Sequence, residues 1–218
     1  MKDKSQRRAF TLVEMLVVIG IVSVLDSILF PVFARARNAA RTSACLSNLH
    51  QIGLGVAMYT ADYDERYSWA VDPFIQLDAS DWADFPAYQS AIPVLPMIQV
   101  ALAPYTRSRE VFHCPSGTGA PSLFPGSDEV TPFVTSSYSA FGTSYYYNSL
   151  LAAEQQTVES LPNPAQTATL FDGAGSWHGD LEVPLRRYNI VFADNHAKNL
   201  SRAEAAGVGV SHPIPGYP

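Results

Sequence analysis

The chain has 218 residues, 47% of them hydrophobic and 16% charged, which suits one folded domain with or without an appendage. The first nine residues have a net charge of +3, from Lys2, Lys4, Arg7 and Arg8 against Asp3. Because the whole chain carries −6, the remaining residues carry −9. Because so acidic a body repels phosphate backbones, this charge argues against sequence-independent binding of nucleic acid.

The first predicted element is an apolar segment from Phe10 to Phe33, within "RRAFTLVEMLVVIGIVSVLDSILFPVF". Its 24 residues include two charged side chains, Glu14 and Asp26, and about 20 apolar residues suffice to cross a bilayer. A cleaved secretory signal has a shorter apolar region of about 7–15 residues, followed by a small-residue cleavage site. Here the small residue, Ala9, precedes the apolar run, so we predict a membrane segment. Basic residues flank it on both sides, so the positive-inside rule does not decide its orientation.

Glu14 is the unusual residue of this segment. A carboxylate costs about 2.5–3.5 kcal/mol at the middle of a membrane helix and less near an end, where Glu14 lies. If the chain began at Phe10, its terminal ammonium would lie one helical turn away, within the chain or across to a neighbouring helix. Asp26 lies about 18 Å further along and cannot share that amine. It is either neutral or paired with Arg35 or Arg37 of a staggered neighbour.

Basic residues, a small residue and "FTLVE" before an apolar run resemble the type IV prepilin signature. The resemblance implies that a prepilin peptidase cleaves between Ala9 and Phe10, and that the new amine of Phe10 is methylated. It also implies that Glu14 is the assembly carboxylate used in subunit docking. Most members of that family have glycine at the position of Ala9. Many pilins carry a proline at a distance comparable to that of Pro31, where it kinks the helix, although an ordinary proline at a membrane exit explains Pro31 nearly as well.

The apolar segment continues without a turn signal into "ARARNAARTSACLSNLHQIGLGVAMYTADYDERY". We therefore expect one helix from Phe10 to about Glu65, roughly 80 Å long at 1.5 Å per residue. Residues 1–9 would be the cleaved leader, 10–33 the membrane and assembly half of the helix, 34–66 its amphipathic half, and 67–218 the head. The amphipathic half is predicted from apolar residues that recur every three or four positions: Leu46, Leu49, Ile52, Val56, Tyr59 and Tyr63.

The head is predicted to be rich in loops, with a short helix near "PVLPMIQVALAPYT" and a small antiparallel sheet. Asp194 and Asn195 suit a short hairpin connection between the last two strands. The sheet would cover the helix stripe, so the expected fold is α+β and pilin-like. The strand-like segments are rich in β-branched and aromatic residues: "TSYYYNSL", "QTATLFD", "RRYNIVFAD" and "HAKNLS".

Three segments, "CLSNLHQIGLG", "FHCPS" and "FADNHAK", resemble a large bacterial group of pilin-like proteins with a Cys-Pro-Ser loop and a C-terminal Phe-Ala-Asp-Gly-His hairpin. Asn195 stands where that group has the hairpin glycine. The two cysteines, Cys45 and Cys114, permit one disulfide in an exported protein, and the alternative is two unpaired thiols. A bridge closing about 70 residues would stabilise the head by roughly 4 kcal/mol.

Acidic and histidine residues in the second half of the chain raise the question of a metal site. Some type II secretion pseudopilins bind calcium near their sheet, and oxygen ligands from Asp172, Asp180 and Glu182 would suit that ion. The spacing matches no EF-hand or zinc pattern and these are ordinary turn residues, so we expect no cofactor, with calcium as the weaker alternative. No G-x-S-x-G, H-E-x-x-H or P-loop motif occurs, so we do not expect an enzyme. The residues that lie close together in sequence and raise this question are Asp172, His178, Asp180, Asp194 and His196.

These features together predict a structural subunit of a type IV pilus-like filament or a type II secretion pseudopilus. The implied partners are the prepilin peptidase, like and related pilin subunits, and an inner-membrane assembly platform, with no nucleic acid. The precursor would be a single-pass protein of the bacterial inner membrane with its head outside the cytoplasm, and the mature subunit would lie in a periplasmic or extracellular filament. The alternative is a membrane- or filament-anchored module for surface binding or adhesion.

The cleavage site gives the first testable prediction. Processing before Phe10 should leave mature protein that starts at an N-methylated Phe10, because Ala9 and "FTLVE" present the peptidase signature. Mass spectrometry of the N-terminal peptide from assembled material measures this directly. Assembled protein that still begins at Met1 would contradict the prediction.

Overall fold

A computed structural model describes residues 11–73, 75, 82–117, 136–179 and 185–208. The chain divides into two compact units, Met1–Ala40 and Arg41–Pro218, and each is described by itself. One helix, α1, is far longer than the others, which are single turns or little more. The helices of the described residues are α1 (Leu12–Asp62), α2 (Pro86–Ala91), α3 (Ile98–Ala101), α4 (Ser137–Phe141), α5 (Leu150–Ala153) and α6 (Arg202–Ala205).

In the first unit, α1 presents large apolar side chains on all sides from Leu12 to Phe33, with Glu14 and Asp26 as the charged residues of that stretch. Every large apolar side chain from Leu12 to Phe33 is between 48% and 80% exposed. An 18-residue window of α1 has a mean hydropathy of 2.5 and no buried residue, so by length and composition this helix can cross a membrane. The helix continues through Pro31, whose carbonyl accepts a hydrogen bond from Nε of Arg35 at 3.3 Å. A kink at Pro31 stays a prediction.

In the second unit, α1 buries one face. Cys45, Leu49, Ile52 and Val56 are at most 7% exposed and follow one another at spacings of four, three and four residues. That spacing brings them to one side of a helix with 3.6 residues per turn. The amphipathic stripe predicted from the sequence is therefore confirmed at Leu49, Ile52 and Val56, whereas Leu46 is only partly buried and Cys45 takes the buried position beside it.

The end of α1 departs from the predicted pattern. The helix ends at Asp62 rather than near Glu65, and Tyr63 is 53% exposed although it was placed in the buried stripe. The amide of Tyr63 still donates to the carbonyl of Tyr59 at 3.1 Å, so the side chain keeps its place on the same side of the helix and is exposed because the head does not cover it. Its ring stacks on that of Tyr59, with centroids 4.3 Å apart and 15° between the planes.

The head contains a four-stranded antiparallel sheet, in which each strand pairs with the next along the chain. Each strand falls inside one of the segments predicted from the sequence, so the α+β, pilin-like fold is confirmed. The turn between the last two strands is closed by the amide of Asn195, which donates to the carbonyl of Phe192 at 2.8 Å. The strands are β1 (Tyr145–Tyr147), β2 (Ala168–Asp172), β3 (Arg187–Phe192) and β4 (Ala197–Ser201).

The first three strands are buried on both faces, since alternate residues enter two different cores, whereas in β4 only Leu200 is buried. One face packs into the core that includes the buried side of α1, and the other forms a smaller cluster with Ala205 of α6. The first face contributes Tyr145, Tyr147, Leu170 and Val191. The second contributes Tyr146, Phe171, Tyr188, Ile190, Phe192 and Leu200.

Gly53 allows α1 and the β3–β4 turn to approach closely. A Cβ added there would overlap Oδ1 of Asn195 and come within 2.8 Å of Cγ2 of Val191. Asn195 has φ of 69°, a left-handed conformation that asparagine tolerates better than most residues, and its carbonyl lies 2.8 Å from Nδ1 of His50. The close contact explains a glycine in mid-helix, where it otherwise costs about 1 kcal/mol relative to alanine.

Replacing Gly53 with alanine should therefore lower the free energy of unfolding of the head by about 1–3 kcal/mol, since overpacking outweighs the gain in helix propensity. Gly20→Ala is the matched control on the same helix, because an added Cβ there meets nothing within 4 Å. Urea unfolding of the full chain in nanodiscs, followed by near-ultraviolet circular dichroism, measures both. Equal stability of Gly53→Ala and the unchanged protein would contradict the packing argument.

Candidate functional site

The first turn of α1 is closed by a capping box between Thr11 and Glu14. The amide of Glu14 donates to Oγ1 of Thr11 at 3.2 Å, and Oε2 of Glu14 accepts from the amide and the hydroxyl of Thr11, each at 2.8 Å. This reciprocal arrangement satisfies backbone donors that a helix start leaves unpaired. Sequence-based prediction missed this role of Glu14, although T-x-x-E in "TLVE" is its signal.

The capping box holds the Glu14 carboxylate at the start of the helix. Oε2 lies 2.8 Å from the backbone nitrogen of Thr11, and that nitrogen is three covalent bonds from the nitrogen of Phe10. Cleavage before Phe10 would leave the Phe10–Thr11 peptide intact, so the capping box is compatible with the mature chain. Ala9 and Phe10 lie outside the described residues, and both the cleavage site and the methylated amine stay predictions.

A disulfide joins α1 to the "HCPSG" loop of the head. Cys45 and Cys114 are bonded, with Cα atoms 5.2 Å apart, and both are fully buried, so the predicted bridge is confirmed. The Cys114 amide donates to Oγ of Ser144 at 3.1 Å, and Nδ2 of Asn48 donates to the His113 carbonyl at 2.9 Å. The bridge is therefore part of a hydrogen-bonded core and not an exposed thiol pair.

His178 packs between this disulfide and Asp172, the last residue of β2. Its Nε2 lies 3.3 Å from Sγ of Cys114 and 3.3 Å from Oδ2 of Asp172, and its Nδ1 lies 3.1 Å from Oγ1 of Thr42. The side chains of both His178 and Asp172 are completely buried. Oδ2 of Asp172 also accepts from the amide of Asn189 at 2.7 Å, whereas Oδ1 has no hydrogen-bond partner among the described residues.

Burial acts on the two ionisable groups in opposite directions. It raises the pKa of Asp172 well above its ordinary value, despite the hydrogen bond from Asn189, which lowers it. Burial also lowers the pKa of His178 to about 4. Both shifts favour the uncharged form, because removing water destabilises an isolated charge. A neutral Asp172 carboxyl can donate to Nε2 of His178, and in that tautomer Nδ1 of His178 carries the proton and can donate to Oγ1 of Thr42.

The wider group of residues considered for a metal site does not all come together in the described part of the chain. Asp172 lies in the core, whereas Asp194 and His196 contact each other in the β3–β4 turn. Oδ1 of Asp194 accepts there from the amide of His196 at 3.2 Å and lies 2.6 Å from its Nδ1. Asp180 and Glu182 lie outside the described residues, so calcium ligation by Asp172, Asp180 and Glu182 stays a prediction.

A second group of possible metal-binding atoms surrounds the disulfide. The sulfurs of Cys45 and Cys114 and a ring nitrogen of His178 lie within 4.8 Å of one another. Metals bind cysteine as the thiolate, and both sulfurs are used in the disulfide. In the bonded state this group therefore serves packing and not metal binding.

The apolar helix with a carboxylate at its start, together with the α+β head, gives the chain a pilin-like architecture, and its N-terminal helix fits a membrane-anchored precursor. Residues 4–25 match the prokaryotic N-terminal methylation motif, which implies processing by prepilin peptidase. Residues 34–174 match the family described as a protein of unknown function (DUF1559), and since this is more than half of the chain, the protein belongs to that family. Neither match is to an enzyme family. No curated protein and no solved structure matches the chain.

The buried pair predicts a specific pH dependence. In Asp172→Asn, the free energy of unfolding should rise by on the order of 3 kcal/mol as the pH increases from about 4 to 6.5. The unfolded chain binds a proton at His178 throughout that window while the folded protein does not, so raising the pH removes an advantage of the unfolded state. The unchanged protein should show a shallower rise, because the raised pKa of Asp172 acts with the opposite sign.

The matched control is the double variant Asp172→Asn/His178→Gln, which lacks the imidazole. Urea unfolding at a series of pH values compares the two slopes. Identical slopes in the single and double variants would show that His178 is not the group responsible.

Proposed function

We propose that this protein is a structural subunit of a type IV pilus-like filament or of a type II secretion pseudopilus, assembled through the N-terminal half of α1. The observation that supports it best is the combination of an all-apolar helix with one carboxylate held at its first turn. A helix that served only as a membrane anchor could close its first turn with an uncharged residue such as glutamine, so the charge of Glu14 itself favours a role in docking. The N-terminal methylation motif supports the same proposal, since it implies processing of the precursor and pilin assembly.

The assembly step follows from the cost of charges in an apolar environment. An incoming subunit with a free amine at Phe10 would bring that ammonium to the Glu14 carboxylate of a subunit already in place. Either charge alone is costly among apolar helices, and the pair is less costly, so docking is favoured in one axial register. The capping box supports this step because it keeps the carboxylate at the helix start before docking occurs.

The partners and location proposed follow from this pathway. Prepilin peptidase would process the precursor, an inner-membrane platform would assemble it, and like or related pilin subunits would surround it. The head would lie outside the cytoplasm, where a disulfide such as Cys45–Cys114 persists. A second candidate function, surface binding by the head, is favoured by an aromatic cleft at the end of α1.

Variants at Glu14 separate the charge from the cap. Glu14→Gln retains a capping-box residue but has no charge, whereas Glu14→Ala loses both. If the charge directs docking, both variants should be processed and inserted normally, yet should lower filament yield at least about tenfold, because removing one partner of a buried ion pair costs about 3–5 kcal/mol. The measurement compares processed protein in the membrane with protein in sheared filaments.

Asp26→Asn is the control, because it removes a carboxylate from the same apolar segment without touching the cap. Its filament yield should stay closer to that of the unchanged protein. Full yield from Glu14→Ala would exclude this carboxylate as the docking group, and full yield from Glu14→Gln with none from Glu14→Ala would assign its role to the cap.

A further inference from the structure

A cleft of about 430 Å³ opens where α1 ends and the head's first loop begins. Four aromatic rings line it: Tyr59, Tyr63, Tyr67 and Trp69. Pockets of this size and with this aromatic content are typical of small-ligand sites. The cleft is formed entirely within the second unit of the chain, so its properties do not depend on the apolar segment.

Two of these rings combine exposed surface at the cleft with a contact to a neighbouring ring. Tyr63 is 53% exposed, and one of its faces is covered by the parallel ring of Tyr59 at 4.3 Å. Trp69 is 38% exposed and meets Tyr88 edge to face at 5.8 Å. Aromatic rings already held by neighbours offer contact area with little further loss of side-chain entropy on binding.

The same cleft carries a mixed set of polar groups. Asp62, Asp64, Arg66 and Gln155 all line it, which adds two carboxylates, one guanidinium and one amide. Nη1 of Arg66 lies 3.5 Å from Oε1 of Gln155, and Oδ2 of Asp62 accepts from the hydroxyl of Tyr105 at 2.8 Å. Hydrogen-bond donors and acceptors, including groups of positive and of negative charge, therefore lie next to the aromatic surface.

Backbone strain is concentrated around the cleft. Asp64, Glu65 and Gln155 have φ values of 51°, 59° and 54°, and together they are three of the four non-glycine residues with positive φ in the described part of the chain. A helix end commonly places glycine in this conformation, yet Asp64 and Glu65 occupy it here. Non-glycine residues in such conformations cost about 1–3 kcal/mol each and cluster at ligand sites.

The two strained turns are fastened to each other by the main chain. Arg66 and Thr157 form an isolated antiparallel bridge, and the amide of Val158 donates to the carbonyl of Glu65 at 3.0 Å. This bridge joins the turn after α1 to the turn after α5, so side chains from positions 62–69 and 155 line one cleft. The polar groups are thus supported by main-chain hydrogen bonds and not by side-chain contacts alone.

We propose that this cleft binds neutral pyranose rings of a polysaccharide. A pyranose has an apolar C–H face that can stack on Tyr63 and Trp69, and a rim of hydroxyl groups that can donate to carboxylates and accept from guanidinium and amide. Two carboxylates against one guanidinium disfavour an anionic ligand such as a uronate or a phosphate. An aliphatic ligand would leave these polar groups desolvated without hydrogen bonds, which is costly.

This proposal does not rest on filament assembly. A protein that failed to form filaments would still bind sugar through its head, and a filament subunit without sugar affinity would leave the assembly proposal intact. The two can therefore fail separately.

The test uses the mature full chain in phosphatidylglycerol nanodiscs, because glycoside detergents would themselves enter the cleft. Isothermal titration calorimetry measures binding of cellobiose, lactose and N,N′-diacetylchitobiose, with glucuronate as the anionic probe and choline as the cationic probe. Tyr63→Ser removes the stacking surface, and Asp64→Asn removes a carboxylate while keeping a residue that tolerates the left-handed conformation. Tyr138→Ser is the matched control, since Tyr138 is a partly exposed tyrosine stacked on His113 outside the cleft.

We expect saturable binding of at least one neutral disaccharide, weakened about tenfold by Tyr63→Ser and by Asp64→Asn and unchanged by Tyr138→Ser. Unfolding midpoints are measured alongside, and Asp64→Asn keeps the test informative if Tyr63→Ser does not fold. The proposal is overturned if no neutral sugar binds saturably, if choline or glucuronate binds more tightly than every neutral sugar, or if the Tyr63 and Tyr138 variants behave alike.

Discussion

The attachment of α1 to the head is the constraint on which the rest of the second unit depends. The Cys45–Cys114 disulfide fixes one point of contact inside the core, and the absent side chain of Gly53 lets the β3–β4 turn approach two helical turns further along. Between and beyond these points, Leu49, Ile52 and Val56 fill the interface. Closing a loop of about 70 residues removes chain entropy from the unfolded state, which stabilises a head that otherwise contains short strands and long loops.

The protein places carboxylates in apolar surroundings in two different ways. Glu14 stays at the surface of its helix, where backbone and hydroxyl donors of Thr11 engage one oxygen. Asp172 is completely buried beside His178, and burial favours the neutral form of both. The difference fits the proposed roles, since a docking carboxylate must keep its charge until a partner arrives, whereas a buried core carboxyl costs less when it is neutral.

One helix therefore connects two kinds of proposed function. Its first half is apolar on every side and would contact lipid or other subunits, whereas its last turn contributes Tyr59 and Asp62 to an aromatic cleft. The turns with positive φ around that cleft lie in the head. A ligand site there would therefore involve no residue of the proposed assembly surface. A filament subunit that also recognised sugars would combine the two without sharing residues between them.

The sequence by itself determined the helix, its change from all-apolar to one-sided, and the four strands. These features follow from short-range periodicity and from turn residues. The helix cap at "TLVE" and the hairpin turn at Asp194–Asn195 likewise depend only on residues a few positions away. With two cysteines the pairing partner was also known, although whether they were bonded was not. Tertiary structure decided the remainder: His178 meets Thr42 across 136 residues, Tyr63 is left uncovered by the head, and Gln155 joins residues near position 62 at one cleft. The physical reason is that the local sequence pattern indicates which side chains lie on the same side of a helix or strand. Sheet register and loop closure decide which distant residues those side chains contact.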